Sequence, residues 1–265
     1  MLIDTHIHVG QFREQYFAPS AIHRLVKLMN IDYYAVSSTT MCEENYPKVI
    51  REIQTLTNMD GNKVLPVMWI TPEGLKGNIA WFLESDIKWR CLKVHPFLHP
   101  HDWQPDGEQF REVIDIAREL RIPLLIHTGN DETCPCGKYE AMVARNQDID
   151  FILAHGRPLP QVIPLLRNYP NAYADSAFMP VTDMARLMHE GLADKLLWGT
   201  DMYIPHYYSP QDDMQSCYQH KLDAFKVLCT KEQYEQVTFE NAVRIFKLYG
   251  DEYYNSSDEP WWQPE

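Results

Sequence analysis

Two histidines separated by one residue, His6 and His8, close the apolar run that opens the chain, Met-Leu-Ile-Asp-Thr-His-Ile-His-Val-Gly. Side chains alternate across an extended strand, so the two imidazoles share one face while Ile3, Thr5 and Ile7 share the other. Two neutral imidazoles on one face can grip a metal ion if the chain brings further donors to them. Candidates stand at the ends of other short apolar runs: Lys93 and His95, then His127, then His155, and Asp201 just past the last. A lone histidine at a strand end is more often a packed, hydrogen-bonded residue than a ligand. A set of them at equivalent places points instead to a metal site with proton carriers around it.

Weaker candidates surround this set. Arg157, two residues after His155, could fork onto a substrate carboxylate. His95 shares the parity of Lys93 and could support the site from behind or touch substrate. The loop side chains Phe12, Tyr16, Trp69, Phe97, Trp103, Tyr203 and His206 could line a pocket. Cys134-Pro-Cys136 is too tight for a Cys-x-x-Cys metal knuckle and reads as a pair of loop thiols.

The elements that must position these residues form a regular alternation. Short apolar strands are expected at 1–10, 33–38, 63–69, 90–94, 123–127, 151–155, 172–175 and 196–199. Apolar residues at helical spacing, such as Ile22, Leu25, Val26 and Met29, place helices at 19–30, 46–59, 75–84, 108–120, 138–145, 159–167, 182–190 and 214–228, with an extra one at 241–248. Continuous apolar strands are the mark of a parallel sheet covered on both faces. Eight β/α units in roughly 250 residues imply a (β/α)8 TIM barrel with an extra C-terminal helix, whose active site gathers at the C-terminal strand ends. An open doubly wound sheet is the competitor, but no Gly-x-Gly-x-x-Gly follows the first strand.

His6-x-His8, Lys93-Val-His95-Pro96, Leu-Ile-His127-Thr-Gly, Leu-Ala-His155-Gly and Trp-Gly-Thr-Asp201 occur in the order seen in the amidohydrolase superfamily. The chain most resembles the branch that includes aminocarboxymuconate semialdehyde decarboxylase, and Glu240-Asn241-Ala242-Val243-Arg244-Ile245-Phe246 is similar to that branch's closing helix. The resemblance implies that His6, His8, His127 and Asp201 bind one divalent ion, Zn2+ first, with Mn2+ and Fe2+ left open. It implies further that Asp201 carries protons and that His155 is an acid/base or electrophile facing the substrate. A second metal, held by a carboxylated Lys93 and the histidines His127 and His155, is the binuclear variant. Otherwise Lys93 is an unmodified amine that binds a substrate carboxylate or pairs with Asp4 or Asp175.

The 265 residues, 45% hydrophobic, suffice for one large core, and nothing in the sequence divides residues 1–250. Residues 251–265 form an acidic, aromatic tail. The formal net charge of −13 argues against nucleic acid and anionic membranes as partners, since both require clustered lysine and arginine. The six cysteines do not suggest a disulfide scaffold, and without a leader or a membrane-spanning run a soluble, cytoplasmic protein is expected. Homo-oligomerisation is left open. The function expected is metal-dependent hydrolysis of a small polar amide, lactone or ester through an activated water. The alternatives are non-oxidative decarboxylation or hydration of a small unsaturated acid, and a barrel that binds a metal or ligand without catalysis.

Overall fold

The computed structural model of the chain describes residues 1–77 and 79–249, so the tail 251–265 lies outside the described residues. Nine strands form one sheet: β1 (Ile3–Phe12), β2 (Gln15–Phe17), β3 (Tyr33–Ser38), β4 (Val64–Trp69), β5 (Cys91–Val94), β6 (Leu124–His127), β7 (Phe151–Ala154), β8 (Ala172–Asp175) and β9 (Leu196–Leu197). Neighbours from β1 and β3 onward to β9 pair in parallel. The sheet then meets its own first strand: Thr5 N donates to Trp198 O (2.8 Å), Asp201 N to His6 O (2.8 Å) and His8 N to Met202 O (2.7 Å). Eight parallel strands thus close into a TIM barrel, which leaves them no open edge.

Helices cover the outside: α1 (Pro19–Leu28), α2 (Tyr46–Asp60), α3 (Pro72–Gly77), α4 (Ile79–Leu83), α5 (Glu108–Leu120), α6 (Glu140–Arg145), α7 (Leu159–Asn168), α8 (Val181–His189), α9 (Ile204–Tyr208) and α10 (Met214–Val227). In α5 the buried residues Phe110, Val113, Ile114 and Ala117 recur every three to four positions and face the sheet, each large one contributing about 1.5–3 kcal/mol. Asn45 caps α2 by accepting from Lys48 N, and Asp213 caps α10 by accepting from Ser216 N. None of the described helices is long and apolar enough to cross a membrane.

Two apolar clusters follow the pleat. The outer one, under the helices, includes Val36, Met68, Leu92, Ile126 and Leu153; the inner one fills the barrel with Ala35, Leu65, Cys91, Leu125, Ile152, Tyr173 and Leu197. Lys93, His127 and Asp175 each lie two residues beyond an inner residue of their own strand, so they form the uppermost layer of the lumen. The last segment plugs the opposite end, with Phe239, Val243 and Phe246 in the inner cluster.

Several expectations need correction. Ile3 belongs to the inner cluster and Ile7 to the outer, because the β1–β3 register shifts between Asp4 and Ile7. The strand therefore changes face before it delivers His6 and His8. The first strand also runs on to Phe12 and folds back as the antiparallel hairpin β1–β2. The helix expected at 75–84 begins earlier, at Pro72, with α3 and α4 on either side of residue 78, which lies outside the described residues. The closing helix starts earlier than Asn241, as α11 (Lys231–Glu235), one π-helical segment (Gln236–Glu240) and α12 (Asn241–Ile245). A capping box of Thr230 and Gln233 marks that true start.

Candidate active site

The first half of the site is built by β1, β8 and the segment after β9. His6 Nδ1 lies 2.8 Å from Asp175 Oδ2, and His8 Nδ1 is 3.0 Å from Ser37 Oγ. On the other side of both rings stands the Lys93 ammonium, 2.9 Å from His6 Nε2 and 3.2 Å from His8 Nε2. The Asp175 carboxylate behind His6 and the Ser37 carbonyl oxygen 3.4 Å behind His8 only accept, which assigns the proton of each imidazole to Nδ1 and leaves an Nε2 lone pair facing inward. Burial first, and then the Lys93 charge, lowers the His8 pKa to about 4, so this ring is neutral at physiological pH.

Asp201 completes this half. Its Oδ1 is 2.8 Å from His8 Nε2 and 3.4 Å from His6 Nε2, yet it accepts no aligned hydrogen bond. Burial raises the Asp201 pKa, but the His6 and His8 imidazoles, when protonated, outweigh it and hold the carboxyl well below its usual range. The three inward atoms lie within 4.8 Å of one another. A carboxylate oxygen and two imidazole lone pairs facing each other repel unless a cation joins them, and here a cation, Lys93 Nζ, already contacts both imidazoles. Two neutral imidazoles and a carboxylate suit a divalent ion such as Zn2+. His6, His155 and Asp175 form a second close group, but there Asp175 is occupied: it orients His6 and accepts from His155 N (2.9 Å) and Ala177 N (3.0 Å). Asp175 is therefore committed to the His6 ring and two backbone amides, the place of a residue that orients a neighbouring imidazole.

The second half comes from β4 to β7. Trp69, His95 and His127 stack nearly parallel, with centroids 5.4 Å apart for the first pair and 3.8 Å for the second. His127 stands outside the three-atom group; its Nδ1 is 3.1 Å from His155 Nε2. His155 Nδ1 donates to Ala177 O (3.0 Å), so its Nε2 accepts the His127 Nδ1 proton and His127 Nε2 keeps a lone pair. Burial pushes the His155 pKa down to about 4, and burial with neighbouring charges puts His95 and His127 well below the usual imidazole value. His95 Nδ1 and Arg157 Nε are buried without a partner, while an Arg157 terminal nitrogen donates to Thr128 O (3.3 Å).

His155 and Asp201 both hold left-handed backbone conformations, φ +70° and +57°, which non-glycine residues adopt at a cost. Backbone bonds from their own N–H groups, to Asp175 and to His6 O, pin each in place. Gly10, just past His8, has φ +98°, and a Cβ there would lie 2.4 Å from Thr40 Oγ1, so the strand leaves the site only as glycine.

His6, His8, Lys93, His95, His127, His155, Arg157 and Asp201 all line one cavity of about 830 Å³. Phe12, Trp69 and Phe97 line it as expected, but Tyr16, Trp103, Tyr203 and His206 do not, and Trp103 is fully buried in the outer core. Lys93 pairs with neither Asp4 nor Asp175 among the described residues; Asp4 instead accepts from Thr200 Oγ1 (2.6 Å). The support given by Asp175 and Ser37 was not read from the sequence. Asp175 had a signal, since it ends a strand on the same rim, whereas Ser37 had none.

The family model described as amidohydrolase matches residues 70–248, more than half of the chain. No protein of curated function matches the sequence. Among solved structures, an uncharacterised TIM-barrel protein from Bordetella bronchiseptica superposes with TM-score 0.69 at 16% identity, covering 93% of this chain and 98% of that one. The 4-oxalomesaconate hydratase of Rhodopseudomonas palustris gives 0.65 at 12% identity, with 94% and 96% covered. A 2,6-dihydroxybenzoate decarboxylase complexed with 2,6-dihydroxybenzoate gives 0.65 at 14%, with 94% and 99% covered. At such identities the likeness is one of fold, and the match of the family model, together with the ordered rim residues, makes the chain a member of the amidohydrolase superfamily.

Proposed function

We propose that the protein is a metal-dependent hydrolase of a small polar amide, lactone or ester. One observation carries the reading: His6 Nε2, His8 Nε2 and Asp201 Oδ1, all buried, turn toward one another in an 830 Å³ cavity. When bound there, one divalent ion, Zn2+ first, supplies a Lewis acid and brings the pKa of water to about 7. His127, with its free Nε2, is the candidate fourth ligand. Asp201, held ionised, accepts the proton of the attacking water and returns it to the leaving group. His155 Nε2 accepts the His127 Nδ1 proton across 3.1 Å while its own Nδ1 proton goes to Ala177 O, so in this arrangement His155 orients His127 and serves as a proton acceptor rather than as a donor to a carbonyl oxygen. Arg157, with its unpartnered Nε, takes a carboxylate on the substrate. Burial pushes the Lys93 pKa down against the pull of Asp201 and Asp175. That favours the neutral amine a carboxylated lysine and a second ion would require, but its contact with both Nε2 atoms favours one ion.

Decarboxylation or hydration of a small unsaturated acid is the second reading, supported by Arg13 and Arg157, both of which line the cavity. Both chemistries need a polarised oxygen and a nearby proton carrier. Assay of metal-reconstituted protein against lactones, amides, esters and unsaturated or aromatic acids separates them. Hydrolysis is expected; release of carbon dioxide or addition of water without hydrolysis overturns it, and stoichiometric metal without turnover points to a binding barrel. Elemental analysis together with the mass of the Lys93 peptide is expected to give one equivalent of metal and an unmodified lysine.

A further inference from the structure

A second cavity, about 360 Å³, shares the Phe178 wall with the first. Four methionines, Met29, Met179, Met202 and Met214, line it, and so does Lys221. Methionine is unbranched and polarisable and adapts to apolar ligands of irregular shape. Lys221 is the unusual member. Its Nζ donates to Ser176 O (2.6 Å) and stands 5.5 Å from the Trp198 ring, and among the described residues no carboxylate forms an ion pair with it. The nearest acids are engaged elsewhere, Asp175 by His6 and Asp4 by Thr200. An ammonium has three donors, and leaving a cation without a counter-charge beside apolar surface is costly. Burial lowers the Lys221 pKa to about 8 against the pull of Asp175, Asp4 and Asp201, which still leaves it charged at neutral pH. A cation without an ion-pair partner among the residues of a methionine-lined cavity fits a ligand with an anionic head and an apolar body.

We propose that this cavity binds a medium-chain carboxylate, its headgroup on Lys221 and its chain among the four methionines. The site goes beyond the proposed hydrolase and requires no metal. Its occupant would touch Phe178, whose ring is 5.8 Å from that of His155, so the two cavities meet at one side chain.

Octanoate and octanol, titrated into the full chain carrying [13C-methyl]methionine, provide the test. Of the eleven methionines, the four cavity methyls are expected to shift and saturate together with octanoate, with octanol at least about tenfold weaker. Lys221→Met should remove that preference. Cys217→Trp, an exposed position at the cavity's rim, should block octanoate with Lys221 intact. Equal binding of acid and alcohol to the native chain, saturation at other methionines, or no saturation at millimolar octanoate would each overturn the proposal, and these outcomes do not depend on either variant folding.

Discussion

The two halves of the site are finished differently. On the β1 and β8 side every ring has a hydrogen-bonded back: Asp175 holds His6 and Ser37 holds His8, so both present a lone pair inward. On the β4 to β7 side only His155 has a backbone acceptor behind it, Ala177 O, while His127 leans on His155, His95 is held by stacking, and His95 Nδ1 and Arg157 Nε have no partner. A ligand atom must point one way, which needs a directional hydrogen bond behind it. A group that meets a substrate is left unsatisfied until the substrate arrives. The contrast matches the proposed division, in which the first half supplies most of the donors to a cation and the second meets the reacting molecule.

The strongest way to break this division is Asp201→Asn. The variant should fold, as read by an unchanged circular dichroism spectrum, while turnover of any substrate found falls by at least a hundredfold or so. Comparable turnover would mean that the stacked half suffices alone. Next in size is acid stability. The buried His8 and His155 have pKa values of about 4 in the folded chain against 6.5 for a free imidazole. Between those values the unfolded chain binds more protons, so stability falls as pH drops from 6.5 toward 4, by up to about 3 kcal/mol per ring. Urea midpoints of metal-free protein across that window check it, and a flat profile would contradict the neutral, buried rings.

Asp175→Asn sharpens the comparison from behind the ligands. It keeps the shape of the side chain but loses the charge that fixes His6, so metal affinity in a chelator competition should drop about 10–100-fold. The smallest effect is expected from His95→Phe, which keeps a flat ring between Trp69 and His127 while removing the unpartnered nitrogen. Metal affinity should stay within about threefold, and KM should change more than kcat. A large loss of metal there would place His95 in the cation-holding half.

Much of the fold was legible because its signals are local. Apolar runs ending in His127 and His155, and helical spacing such as that of Phe110, Val113, Ile114 and Ala117, need no distant partner to be recognised. The starts of the helices at Pro72 and Lys231, both earlier than expected, were misjudged where those signals are weak. The β1–β2 hairpin was missed because Arg13 and Glu14 are not typical turn residues. In the site, residue types and rim position were readable, but not what each nitrogen bonds.

The sequence by itself determined which residues stand on the rim: alternation and strand ends are properties of short stretches, and they select His6, His8, Lys93, His127, His155 and Asp201. Only the tertiary structure decided how they are arranged and what each one contacts. The register shift turns β1 over between Ile3 and Ile7, and Asp175, 169 residues away, sets the proton on His6. His127 is drawn to His155, and Lys93 takes the space between two imidazoles rather than an acid. Each outcome depends on which strands lie side by side once the barrel closes, and no local pattern encodes that.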